Sequence, residues 1–304
     1  MQNSPQNRII GMSHFFLAIG IGFLSLLAMI GLAYVIVPAI WGISVIELTE
    51  ISIDNLTVSK GLALKFVQFL SAFGFVIAGF VCAKTFRFKF TNFVGLNNSI
   101  KPILLVLGLL LLFSAIPLID VLVTWNDGIE LPARISEAFR SAENSSDSTY
   151  LLFLKHNTGI HLMLNLLIMS VLAAVGEEIF FRGILLRVIA NWTNNVHIGI
   201  WVSAILFSIM HFQPYKLAGM ISMAVLFGYI YYRTRSLWVP IILHAVNNAT
   251  IVFIDWYEKK GHTDTFFSES AEFPVYGVII SLVLFIGLGY IFWRKTKHSD
   301  FSYE

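Results

Sequence analysis

Eight stretches of this chain are apolar and close to bilayer length, and that pattern decides what the chain can fold into. They run over about 15–41, 62–83, 103–124, 158–190, 196–213, 215–232, 237–256 and 273–293. A spanning helix needs about 20 mostly apolar residues. The runs are continuously apolar and do not alternate, so they read as helices and not as barrel strands. The chain is 57% hydrophobic and 12% charged. Soluble domains carry about 25% charged residues, and no soluble fold of this length hides so much apolar surface. The expected fold is an all-α polytopic membrane helix bundle of about eight transmembrane helices. The first run far exceeds the roughly 7–15-residue apolar region of a cleaved signal, so it reads as a retained helix. No internal repeat is evident.

Lysine and arginine in the loops set the expected orientation. One set of loops holds twelve: Arg8, Lys84, Arg87, Lys89, Lys101, Arg182, Arg187, Arg233, Arg235, Arg294, Lys295 and Lys297. The opposite set holds seven: Lys60, Arg134, Arg140, Lys155, Lys216, Lys259 and Lys260, with Lys65 left inside a helix. The second set also carries the acids Glu47, Glu50, Asp54, Glu130, Glu137, Glu143, Asp147, Asp264, Glu269 and Glu272. An even number of spans then puts both termini in the cytoplasm, and a plasma (inner) membrane is the expected location. Trp41, Trp125, Trp192, Trp201, Trp238, Trp256 and Trp293 fall near helix ends, where interfacial belts favour tryptophan. The segment 125–157, with Ser141-Ala-Glu-Asn-Ser-Ser-Asp-Ser148, reads as a polar, mobile loop. Three parts follow: helices one to three with that loop (1–157), a core of helices four to seven (158–256), and the last helix with a basic tail (257–304). A net charge of +2 argues against nucleic-acid binding, and the single cysteine, Cys82, excludes a disulfide framework.

An ionisable residue inside a membrane helix is expensive and calls for a functional explanation. Three clusters stand out. In Gly176-Glu177-Glu178-Ile179-Phe180-Phe181-Arg182, Arg182 is four residues after Glu178 and shares its helical face. Glu177 lies about 100° round the helix, so one acid can be structural and the other working. The plain alternative is a helix-stabilising ion pair. The second cluster is Phe207-Ser208-Ile209-Met210-His211. Glu178 and His211 are equidistant from an Asn194-Asn195 turn, so an antiparallel hairpin sets them at one depth. A carboxylate and an imidazole held there can act as a general-base pair; alone, the histidine is more often a hydrogen-bonded packing residue. The third is His244-Ala-Val-Asn247-Asn248. His244 and Asn248 share a face and both can donate to a developing oxyanion, or serve as interhelical polar glue. Counted from the Arg235-Ser236 turn, His244 is shallower than Glu177. A kink, with Pro240 as a candidate cause, is needed to close the gap. His14, His156, His197, His262 and His298 lie at helix ends or in loops, and His161 with Asn165 reads as packing.

Glu177-Glu178-x-x-x-Arg182, Phe207-x-x-x-His211 and His244-x-x-x-Asn248 occur in that order on successive apolar helices. The pattern resembles the CAAX-protease and bacteriocin-processing (CPBP, or Abi) family of intramembrane endopeptidases. The resemblance covers about 158–256. It implies a membrane hydrolase that cleaves a peptide bond of a membrane-associated protein or peptide. Glu177 and His211 would activate water, His244 and Asn248 would be oxyanion donors, and Glu178 with Arg182 would hold the site. The family is also called a metalloprotease family, so zinc on Glu177, His211 and His244 stays open. The chain lacks the His-Glu-x-x-His spacing of most zinc proteases, and a metal-free glutamate mechanism is favoured. A transporter or channel with a polar midplane site, or a catalytically idle membrane scaffold, are the competing expectations.

Overall fold

The computed structural model describes residues 11–156, 158–261 and 273–296. Its long helices are α1 (Met12–Trp41), α2 (Val58–Thr85), α3 (Pro102–Asp127), α4 (Ala133–Leu154), α5 (Gly159–Thr193), α6 (Val196–Ile209), α7 (Leu217–Thr234), α8 (Trp238–Glu258) and α9 (Val275–Lys295). No strand occurs among the described residues. All eight apolar runs are helices. Six of them, α1, α2, α3, α5, α8 and α9, are long and apolar enough to cross a membrane. The 14 residues of α6 rise only about 21 Å, short of the roughly 30 Å hydrocarbon core. This short helix pairs with the 18-residue α7 inside the bundle.

The one element that composition misassigned is α4. Residues 125–157 are not a mobile loop: Ala133–Leu154 is a 22-residue helix. Its serines and acids suggest a loop, but Ile135, Ala138, Phe139 and Ala142 recur at helical spacing. Three other helices grip its C-terminal carbonyls. Lys65 Nζ of α2 donates to Phe153 O at 2.7 Å, Asn165 Nδ2 of α5 to the same oxygen at 3.2 Å, and Lys259 Nζ to Leu154 O at 3.1 Å. Lys65, the lysine inside a span, therefore caps a helix C-terminus, where a cation is favoured.

Helix α5 is the central element. Every residue from Ile179 to Ala190 is buried, with α2, α6, α7 and α8 packed around it. Close approach relies on small residues, as in membrane bundles generally. A Cβ on Gly176 would run into the Ala72 carbonyl oxygen of α2, and one on Gly199 would sit 2.6 Å from Leu186 O. Helices α1 and α9 are peripheral and expose apolar side chains such as Phe23, Val35, Val275 and Val283. Surface of that kind is stable only against lipid, and the chain is an integral membrane protein.

The loops of the basic set meet at one end of the bundle. Asn98 Nδ2 donates to Arg235 O, Ser236 Oγ to Asn98 O, Trp238 Nε1 to Leu96 O and Arg233 Nη2 to Trp293 O. Arg182 does not belong to that set, because it is buried within α5. Arg8, Lys297, His262, His298, Asp264, Glu269 and Glu272 lie outside the described residues.

Candidate active site

Polar side chains converge where α5, α6, α7 and α8 meet. The α5–α6 hairpin turns at Asn194, which is left-handed at φ 54°, and Asn195 caps α6 by accepting from the His197 and Ile198 amides. The turn falls where the equidistance of Glu178 and His211 requires it. Helix α5 is α-helical over Ala173–Glu178 but widens to a π-helix on both sides, at Leu166–Leu172 and Ile179–Leu186. Such widenings cluster at functional sites. Here they flank the two glutamates.

Glu178 is 0% exposed. Its Oε1 lies 2.8 Å from Arg182 Nη1 and 2.9 Å from His244 Nδ1. The Arg182 contact is an ion pair whose N–H groups miss the oxygen, and Glu178 Oε2 has no hydrogen-bond partner among the described residues. Arg182 is compensated from elsewhere too. Its Nη2 donates to Ala224 O at 3.2 Å, and its guanidinium faces the rings of Phe207 at 4.8 Å and Phe227 at 5.9 Å. The same two rings flank His244, at 5.9 and 5.6 Å. Aromatic faces attract a buried cation and exclude the water that would screen the pair.

His244 is shared by both carboxylates. Nδ1 meets Glu178, while Nε2 lies 3.6 Å from Glu177 Oε2. Glu177 is 15% exposed, so it is the accessible member of the pair. His244 thus reaches the depth of Glu177, but not through a kink at Pro240. Pro240 sits in the first turn of α8, where a missing N–H costs nothing. The residue count failed because it took Arg235-Ser236 as the membrane surface. Ser236 and Leu237 are buried at 1% and 0%, with Leu237 N–H bonded to Gly95 O. The residues that lead into α8 are packed against the segment 95–98, with Trp238 at the surface.

His211 lies just past the end of α6, in the turn that leads to Pro214–Lys216. Its Nδ1 meets Phe207 O at 2.8 Å, which leaves Nε2 to face other groups. It forms no hydrogen bond or ion pair with Glu177 here; the imidazole beside Glu177 is that of His244. Asn248 Nδ2 donates to Met169 O at 3.2 Å, within the first π-helical stretch. Among the described residues, no group of three or more His, Cys, Asp or Glu is placed to share a metal ion. Glu177, His211 and His244 do not form a ligand cluster, so this geometry does not fit zinc. The aromatic walls were half legible: Phe207 stands four residues before His211, but neither Phe227 nor Ala224 O carries a sequence signal.

An all-helical membrane protein with an acid–imidazole–acid centre walled by aromatic rings is the class that this fold and site define. Residues 159–250 match the family described as Type II CAAX prenyl endopeptidase Rce1-like. The chain is also 31% identical over 91 residues to a Bacillus subtilis (strain 168) protein named Putative membrane peptidase YdiL. That similarity covers 30% of this chain and 37% of the relative, so the chain spans little more than a third of the curated protein it matches. No solved structure matches it significantly. The matched segment contains every residue of the polar centre.

Proposed function

We propose that this chain is an intramembrane endopeptidase that hydrolyses a peptide bond of a membrane-associated protein or peptide without a metal cofactor. The observation that carries the reading is the convergence of Glu177, Glu178, Arg182 and His244 in the segment that matches the family. Glu177, the more exposed acid, acts as general base. It takes a proton from water as the oxygen attacks the scissile carbonyl carbon, with His211 acting on the same water across the mouth of the site. In this mechanism His244 acts as an imidazolium: Glu178, neutralised by Arg182, accepts a hydrogen bond from its Nδ1–H and fixes that ring. At 3.6 Å from Glu177, the Nε2 proton is too far for a hydrogen bond there, so it is available to a developing oxyanion beside Asn248. When the C–N bond breaks, the proton held by Glu177 returns to the leaving amine. The bundle sits in a plasma (inner) membrane with both termini cytoplasmic.

The test is cleavage of membrane-anchored peptides by the purified protein in liposomes, with fragments read by mass spectrometry. Glu177→Gln should abolish turnover, because the near-isosteric amide cannot take the proton. Asn248→Ala should cost about 10²–10³ in rate and leave residual activity. Exhaustive chelation should leave the rate unchanged, and the active protein should hold far less than one zinc per chain. Zinc that tracks activity would overturn the mechanism but not the protease reading. Equal cleavage by wild type and Glu177→Gln would remove Glu177 from the chemistry. A transporter would lose flux in Glu177→Gln and cleave nothing in either form.

A further inference from the structure

We propose that Glu143, on helix α4, is a positioning residue that fixes the His211 turn through the Tyr215 amide. The inference rests on the reading above, in which His211 takes part in hydrolysis. The turn between α6 and α7 is not self-sustaining. Phe212 adopts a left-handed φ of 54° although it carries a Cβ, and its side chain is 71% exposed. That conformation is costly for a bulky residue and persists only when its surroundings dictate it. The surroundings are supplied mainly by α4. Ser146 Oγ donates to His211 O at 3.3 Å, Gln213 Nε2 donates to Asp147 Oδ1 at 3.1 Å, and Lys216 Nζ reaches the same oxygen at 2.8 Å. The Arg140 guanidinium stacks 3.7 Å over the Tyr215 ring, and Ser136 Oγ meets Tyr215 OH at 3.0 Å.

Glu143 is the centre of this clamp. It is 5% exposed on an otherwise polar helix, and a carboxylate is not buried without a specific demand. Its Oε2 accepts the Tyr215 amide at 3.0 Å, inside the turn Pro214–Lys216 that opens α7. Its Oε1 lies 3.6 Å from Lys216 Nζ. The amide is one of the donors that a helix start leaves without an internal partner. Asn126 of α3 satisfies the Ala218 amide at 2.8 Å, and among the described residues Glu143 is the acceptor for Tyr215. Without it, a buried N–H loses its acceptor four residues from His211, and the strained corner at Phe212 is free to relax. The contacts that hold the C-terminal end of α4 tie this clamp to α2, α5 and the end of α8, so His211 is set by four elements besides its own.

The experiment compares Glu143→Ala and Glu143→Gln in the full chain in liposomes. Turnover of membrane-anchored peptides is read alongside hydrogen exchange by mass spectrometry. Loss of the acceptor in Glu143→Ala should lower kcat by about 10- to 100-fold with KM nearly unchanged, and speed exchange in 210–216 alone. Glu143→Gln keeps an acceptor for the amide and should recover most of kcat and of the protection. Wild-type kcat in Glu143→Ala would overturn the proposal. So would equal loss in both variants, or faster exchange throughout the bundle, which marks general destabilisation. If the wild type cleaves no peptide, the protease reading fails separately. The clamp then stands if 210–216 responds to alanine and not to glutamine, and falls if it responds to neither.

Discussion

At the scale of single residues, the site is a balance of buried charge. Glu178 and Arg182 are both withdrawn from solvent, and the desolvation of such a pair is recovered only by further contacts. Here those contacts are His244 Nδ1, Ala224 O and the faces of Phe207 and Phe227. Removing one partner strands the other. Arg182→Ala should therefore cost about 3–5 kcal/mol of stability, seen as a lower yield of monodisperse protein and an earlier thermal transition in detergent. Replacing both, as Glu178→Gln with Arg182→Met, should restore much of that yield while activity stays low. A stable but inactive Arg182→Ala protein would instead assign the arginine to the chemistry. The i, i+4 spacing made this pair legible in the sequence. The third partner was not, because the depth of His244 depends on how far Ser236 and Leu237 are pulled into the bundle, and no local pattern encodes that.

At the scale of elements, what the sequence showed and what it hid divide along one line. Features set by composition within a segment were visible: the eight apolar helices, the Asn194-Asn195 turn, the three polar motifs. Features set by packing between segments were not. Helix α4 escaped because Asn144-Ser-Ser-Asp-Ser148 resembles a loop, while the grips of Lys65, Asn165 and Lys259 come from distant helices. The π-helical widenings of α5 escaped for the same reason, since nothing in Leu166–Leu172 or Ile179–Leu186 departs from an ordinary apolar run. The packing of α5 on α2 yields a direct test. Gly176 precedes the two glutamates, and an added methyl group would meet backbone, the Ala72 carbonyl, which cannot swing aside. Gly176→Ala should separate α2 from α5, lower thermal stability by about 1–3 kcal/mol and reduce activity by displacing Glu177. Gly31→Ala is the control, because nothing lies within 4 Å of its added Cβ; it should be neutral or slightly stabilising, as alanine is the better helix former. Equal behaviour of the two variants would show that close α2–α5 contact does not hold the glutamates in place.

At the scale of the whole molecule, the two ends of the bundle differ in charge, and that difference is the basis of the proposed orientation. Lys84, Arg87, Lys89, Lys101, Arg233, Arg235, Arg294 and Lys295 belong to the end where the segments 84–101, 233–237 and 293–296 meet, whereas Arg187, like Arg182, is buried within α5. At the other end several cations are tied to acids: Arg140 to Asp127 at 2.6 Å, Lys216 to Asp147 at 2.8 Å and Lys259 to Asp255 at 2.8 Å. Loops rich in lysine and arginine favour the cytoplasmic side. In the orientation proposed above, α4 and its clamp on the His211 turn would lie outside, and the Asn194-Asn195 turn inside. The glutamates lie about 22 Å along α5 from its Thr193 end, near the middle of its 35 residues. Two exposed positions test it. Ser59→Cys, beside the start of α2, should react with a membrane-impermeant thiol reagent in intact cells. Asn97→Cys should react only after permeabilisation. The native Cys82 is fully buried and will not obscure either signal. Labelling of Asn97→Cys in intact cells with protection of Ser59→Cys would invert the map and turn α4 to the cytoplasm.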